Sequence, residues 1–170
     1  MTEERFTYLI SADDVKGGSF VNYNVTDDLI ADAIRIAQDT YLRDVIGCNL
    51  LMSVKGKVYR NITSGEAIEE KYLTLIDDYI VPYLVAEAQV QICEPLALKL
   101  RNVGVTSTDD TNIRTADIEA VKRLENSLKT FAVDKVNRLI DFLNANEFEE
   151  LQGCKCHKLN KKANIGLWLK

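Results

Sequence analysis

Apolar residues recur along most of the chain at the three- and four-residue spacing of an amphipathic helix. Ile30, Ala33, Ile34, Ala37 and Tyr41 share one such face. They predict a helix opened by the capping residue Thr26, with Asp27 and Asp28 in its positive first turn and Gly47 as its left-handed stop. Before it, Ile10 to Asp14 reads as an N-capped opening turn broken by Gly17-Gly18, and Phe20 to Val25 alternates weakly, as an extended segment does. Leu50, Leu51 and Val54 suggest a short second helix, and Gly56 through Gly65 reads as a polar connection. Thr63-Ser64-Gly65-Glu66 has the form of a capping box, expected to launch a helix with Ile68, Tyr72, Leu75, Ile76 and Tyr79 on its face.

Pro82 is expected to end or kink that helix, since proline lacks an amide and clashes with the preceding turn. Tyr83 to Cys93 resumes as a nearly all-apolar helix, which places it at the centre, and Pro95 interrupts again. Asn102 to Asp117, rich in Thr, Ser, Asp and Asn, is expected to be the longest loop. A long closing helix follows from Ile118. Its inner face is Val121, Leu124, Leu128, Phe131, Ala132, Val136, Leu139, Ile140 and Leu143, and Asn144 and Asn146 mark its end. Glu125–Lys129 and Asp134–Arg138 stand on its outer face at the i,i+4 spacing of stabilising ion pairs, as does Glu119–Arg123. The fold class is therefore all-α: a bundle of four to five helices over residues 1–150, with a long polar loop and an extended basic C-terminal arm at 151–170.

Charge sharpens that division. The 170 residues carry a net −5, yet every acid lies at or before Glu150. Residues 1–153 hold 26 acids against 16 Lys and Arg, a balance of −10, while Lys155, Lys158, Lys161, Lys162 and Lys170 give the remainder +5. An acidic body argues against broad affinity for nucleic acid, which depends on cations displacing counterions from phosphates. No apolar run approaches the roughly 18 residues a membrane span needs, and the acidic, polar start gives no sign of a secretory signal. A reducing compartment fits four cysteines without a disulfide spacing.

Candidate chemistry is sparse. The only histidine, His157, sits among Gly, Lys and Asn, with no rigid setting for a base or a triad. The adjacent acid pairs, such as Asp77-Asp78, diverge on a helix and read as caps and solvated faces. No glycine-rich phosphate cradle or calcium loop is present, and Asn61-Ile62-Thr63 is a chance match to the glycosylation triplet. Cys154, Cys156 and His157 form the one metal-like cluster, but a structural zinc site needs a fourth ligand, which only Cys48 or Cys93 would supply. No enzyme activity and no cofactor are expected. The chain ends differently: Ile165, Leu167, Trp168 and Leu169 follow the lysine-rich linker and have no place in a core completed by Leu143. Together with Lys155, Lys158, Lys161 and Lys162 they are the candidate partner-binding residues, since exposed apolar ends and Trp mark interfaces. The alternative is packing back onto their own domain.

The arrangement resembles the adaptor proteins of tailed-bacteriophage head–tail connectors, the head-completion or ring proteins beneath the portal, most closely those of crAss-like phages. The matching features are Leu9 to Asp14, the helix from Ile30 to Gln38 with Tyr41-Leu42 and Ile46-Gly47, Tyr72-Leu73, Asp78 to Leu84, and Asn102 to Val105. The long closing helix also fits, and the likeness covers about residues 7 to 150. It implies a non-enzymatic virion protein, present in twelve copies as a ring, with the portal above, tail and other connector proteins below, and DNA passing through without sequence-specific binding. Its expected locations are the virion and, during assembly, the host cytoplasm. The competing classes are a cytosolic helical regulator that binds protein through its apolar tail, and a small zinc-dependent nucleic-acid module.

Overall fold

The computed structural model describes residues 7–17, 25–104 and 111–152. Among them every regular element is helical, so the fold class is all-α. Of the expected arm at 151–170, residues 151 and 152 are helical, while 153–170, the stretch 18–24 and the segment 105–110 lie outside the described residues.

Helix α1 (Ala12–Gly17) opens on a reciprocal cap. The Ser11 amide and hydroxyl both donate to Asp14 Oδ2 at 2.7 Å, and the Asp14 amide donates back to Ser11 Oγ at 3.2 Å. Helix α2 (Asp27–Ile36) begins after Thr26 and buries Ile30, Ala33 and Ile34. It runs without a break into a π-helical stretch, Ala37–Leu42, closed by the Arg43 amide donating to the Gln38 carbonyl five residues back.

Helix α3 (Arg43–Ser64) departs from expectation. Gly47, at φ 80° and ψ 161°, breaks the helix as expected, and a second helix continues across the kink, but the supposed polar connection from Gly56 is helical to Ser64. Val58 packs on the core from this stretch, while Lys57 and Arg60 reach Glu69 (2.9 Å) and Glu66 (3.5 Å) across the turn that follows. The capping box is likewise corrected. Thr63 and Ser64 hydroxyls donate backwards, to the carbonyls of Tyr59 (2.8 Å) and Arg60 (2.7 Å), so they belong to a last turn. Gly65 then closes it in the left-handed conformation at φ 70°.

Helix α4 (Glu70–Thr74) starts seven residues after Thr63 and passes into a second π-helical stretch, Leu75–Ile80. The Val81 amide donates to the Ile76 carbonyl, again five residues back. Helix α5 (Val81–Gly104) follows at once. Pro82 therefore neither ends nor interrupts the run, because its missing amide falls where the ladder changes from five-residue to four-residue bonds. Pro95 removes one more bond inside α5 without stopping it. The predicted loop from Asn102 to Asp117 shrinks accordingly: α5 reaches Gly104, and α6 (Thr111–Ala145) starts seven residues before Ile118.

Helix α5 is the centre of the molecule, as its composition predicts. Leu84, Ala88 and Ile92 are fully buried in a core shared with Ile30, Ala33 and Ile34 of α2 and with Leu50, Leu51 and Val54 of α3. Ala86, Val90 and Cys93 form a separate cluster with Leu128 and Ala132 of α6. At 100° per residue these two α5 stripes lie about half a turn apart, so α2 and the middle of α6 pack on opposite faces of α5. Farther along, α6 returns to the main core through Val136, Leu139, Ile140 and Leu143. Two residues assigned to its inner face are exposed instead: Leu124 is 39% and Phe131 45% accessible. The ion pairs Glu125–Lys129 (2.6 Å) and Asp134–Arg138 (3.0 Å) form as their spacing predicts.

The core does not finish at Leu143. Phe148 is 2% exposed and meets the Tyr72 ring edge-on at 5.5 Å, while Tyr79 stacks on Phe142 at 4.3 Å. Burying a phenylalanine contributes roughly 2–3 kcal/mol. A short last helix, α7 (Glu149–Gln152), follows it and packs on α3. No described helix is long and apolar enough to cross a membrane.

Candidate functional site

The side chains that stand out are polar groups held between helices. Glu87 sits in the run of α5 that otherwise supplies the core, and only 2% of it is exposed. Its Oε1 accepts a hydrogen bond from Gln91 Nε2, one turn on, at 2.8 Å. Burial pushes its carboxyl from 4.5 up to about 7, against the opposing pull of the Gln91 hydrogen bond and the Lys129 charge on α6. Tyr83, a turn earlier, is also pushed well up by burial, with Glu87, Tyr41 and Asp44 adding negative potential. Burial raises the Cys93 thiol as well, aided by Glu125, so it is a poor nucleophile at neutral pH. The result is a proton-binding position in the α5–α6 seam with no activated nucleophile beside it.

A second cluster fastens α7. Glu150 Oε1 accepts from Ser53 Oγ of α3 at 2.6 Å and from the Tyr72 hydroxyl of α4 at 2.8 Å. Burial alone would raise the Glu150 carboxyl, but the hydrogen bonds from Ser53 and Tyr72 and the nearby Lys57 outweigh it and lower it. Tyr72 is pushed to about 12 by burial first and then by Glu150. Lys57 stands 4.1 Å above the Tyr72 ring, and Lys71 sits over Phe148 while donating to the Glu147 carbonyl. A serine bonded to an acidic, ionised carboxylate has no base to activate it, so this cluster is a latch.

Gln38 and Lys55 complete the buried polar set. Gln38 spans the chain's start, accepting from the Leu9 amide at 2.9 Å and donating to the Thr7 carbonyl at 3.1 Å. Lys55 reaches Asp39 at 3.4 Å. Gln89 donates to the Val15 carbonyl at 3.2 Å and so ties α1 to α5.

Every candidate residue of the arm lies outside the described residues: Cys154, Lys155, Cys156, His157, Lys158, Lys161, Lys162, Ile165, Leu167, Trp168 and Leu169. Of the two cysteines considered as a fourth zinc ligand, Cys48 is exposed on α3 and Cys93 is buried on α5. Among the described residues no three His, Cys, Asp or Glu side chains gather as a metal site would. Sequence reasoning passed over Glu87, although a carboxylate inside an otherwise apolar run, with Gln91 at i+4, is a readable sign of a buried polar pair. It also missed the Glu150 latch, which joins residues 97 and 78 positions apart and has no local signature.

A family model of unknown function, DUF6712, matches residues 42–160, which is 119 of the 170 positions. The chain belongs to DUF6712. The matched DUF6712 region starts at Leu42, the last residue of the first π-helical stretch, and includes α3 to α7 with Glu87 and the Glu150 latch. It also takes in Cys154, Cys156, His157 and Lys158, and stops before Lys161 and the apolar end. No curated protein and no solved structure matches this DUF6712 chain.

Proposed function

We propose that this DUF6712 protein is a structural adaptor of a tailed-phage head–tail connector, one subunit of a ring that joins portal to tail around the DNA channel. The observation that carries this reading is the resemblance across residues 7 to 150, whose residues Tyr72, Ile80, Tyr83 and Leu84 fall on the buried faces of the central helices. The balance of −10 over residues 1–153 supports it, since a channel wall that repels phosphates lets DNA slide. The helical body, α1 to α7, holds the core, and the basic arm with Ile165, Leu167, Trp168 and Leu169 docks on the portal or a neighbouring subunit. The Glu150 latch fits that role, because it fixes the point from which the arm leaves the domain.

The test is electron microscopy of the full chain mixed with the portal of its own phage, together with a search for the chain in purified virions. Ring-shaped density beneath the portal is expected. Absence from virions combined with no portal complex would reject the adaptor reading. Duplex DNA should bind weakly at physiological salt. A sub-micromolar dissociation constant contradicts a passive channel, since non-specific binders sit at about 10⁻⁴–10⁻⁶ M.

A further inference from the structure

Helix α6 is held on α5 in two unequal parts. From Val136 to Leu143 it buries Val136, Leu139, Ile140 and Leu143 in the main core. Between Lys122 and Lys135 it buries Leu128 and Ala132, in the small cluster with Ala86, Val90 and Cys93 of α5. Leu124 and Phe131 of that stretch face water. Fewer buried apolar groups per turn mean that less free energy opposes local opening, so the earlier part is the weaker one.

The weaker part also carries the charge. Glu87 accepts from Gln91 on its own helix, and from α6 the Lys129 charge acts on it. Lys129 is already paired with Glu125 at 2.6 Å, and Glu125 in turn acts on Cys93. The Lys129 ammonium thus faces two carboxylates, and the three groups together are neutral when one carboxyl is protonated. Glu125 keeps 32% of its side chain exposed whereas Glu87 is 2% exposed, so the proton belongs on Glu87. The ionisable neighbour on α5 is Tyr83, kept neutral by burial; Tyr41 of the first π-helical stretch and Asp44 of α3 act on Tyr83 and add negative potential there.

We propose that this seam is a proton-controlled joint: α6 before Val136 stays closed on α5 while Glu87 holds its proton and opens more often once Glu87 ionises, with Val136 to Leu143 as the fixed end. Opening lets the charge reach water and uncovers Cys93 with the small side chains beside it. The device acts within one chain and does not rest on the adaptor reading. Closed, the carboxyl releases its proton near 7; open and hydrated, at its ordinary 4.5. The opening constant therefore rises tenfold per pH unit across that interval and levels off above about 7, a ceiling of about 300-fold.

Hydrogen exchange of the full chain, read by mass spectrometry from about pH 5 to 8 in low urea and corrected for the intrinsic pH dependence of exchange, tests the joint against Glu87→Gln. Amides of residues 122–132 should exchange faster than those of 139–143 and with weaker dependence on urea, the mark of a local opening. Their exchange in the wild type should rise with pH relative to the variant, by up to about 300-fold. Iodoacetamide labelling of Cys93, located by peptide mapping, should follow the same ratio, in which the thiol's own ionisation cancels. Lys129→Gln withdraws the facing cation and should carry the rise to higher pH. Exchange of 122–132 with the rate and urea dependence of 139–143 overturns the joint, because Glu87 would then be uncovered by global unfolding alone. A wild-type-to-variant ratio that stays flat over this range, or a rise that keeps its pH range in Lys129→Gln, overturns it as well.

Discussion

Replacing Glu87 with glutamine should make the protein more stable, and by an amount that depends on pH. The carboxyl ionises at its ordinary 4.5 in the unfolded chain but only near 7 in the folded one, because it is buried. Below pH 4.5 both states hold the proton and the group has no pH-dependent effect. As pH rises from 4.5 to 7 the unfolded state releases the proton first, so stability falls. Above about 7 both states are ionised and the loss levels off. The interval between 4.5 and about 7, at ~1.4 kcal/mol per tenfold, sets that loss at about 3 kcal/mol. Glutamine keeps the shape and a donor–acceptor pair for Gln91 but carries no charge, so Glu87→Gln should not show the loss. Urea unfolding followed by far-ultraviolet circular dichroism, at steps from pH 4.5 to 8, gives the difference between variant and wild type directly. Glu150 and the other carboxylates cancel in that difference. It should grow through this range to about 3 kcal/mol, roughly 6–12 °C in Tm for a chain of this size. A difference that stays constant from pH 5 to 8 refutes the reasoning, since it would mean that Glu87 reaches water in the folded state.

Three other substitutions test separate parts of the fold. Phe148→Ala should cost roughly 3–5 kcal/mol in urea unfolding, because it empties the space beside Tyr72 and releases α7; a loss under about 1 kcal/mol would show that the core ends at Leu143. Gly47→Ala should cost about 1–3 kcal/mol, as φ 80° with ψ 161° is a conformation that a β-carbon opposes, and an unchanged urea midpoint would show that the kink relaxes. Deleting residues 153–170 should leave Tm unchanged while portal binding is lost; a Tm lowered by more than ~5 °C would mean that the arm packs on its own domain.

The helices that bury an unbroken stripe were legible. Ile30 to Ala37 and Tyr83 to Cys93 show their faces in the spacing alone, and all-α follows from them. The misreadings share a physical cause, which is that local signals have two directions. Thr63-Ser64 bonds backwards as a last turn as readily as forwards as a cap, and only the positive φ of Gly65 decides between them. Proline reads as a breaker unless a wider turn beforehand leaves no amide to be missed, as at Pro82. Polar composition around Asn102 to Asp117 suggests a loop, yet α6 extends back to Thr111. Of the polar clusters, Glu87 was visible as a carboxylate in an apolar run. The latch needs Ser53 and Tyr72 brought to Glu150, and no periodicity encodes that.

The two π-helical stretches, Ala37–Leu42 and Leu75–Ile80, have an evolutionary reading as well as a geometric one. A π turn is what a helix becomes when one residue is inserted and the flanking turns keep their packing. Each stretch replaces four-residue bonds with five-residue ones over a short span, and the buried faces before and after it stay aimed at the core. Family members of different length should differ by a single-residue gap at the second stretch, Leu75–Ile80, which lies inside the matched region. At the second place the gap carries a condition: the shortened form would put Pro82 inside an ordinary helix, against the carbonyl four residues earlier, so loss of the extra residue and loss of the proline should travel together.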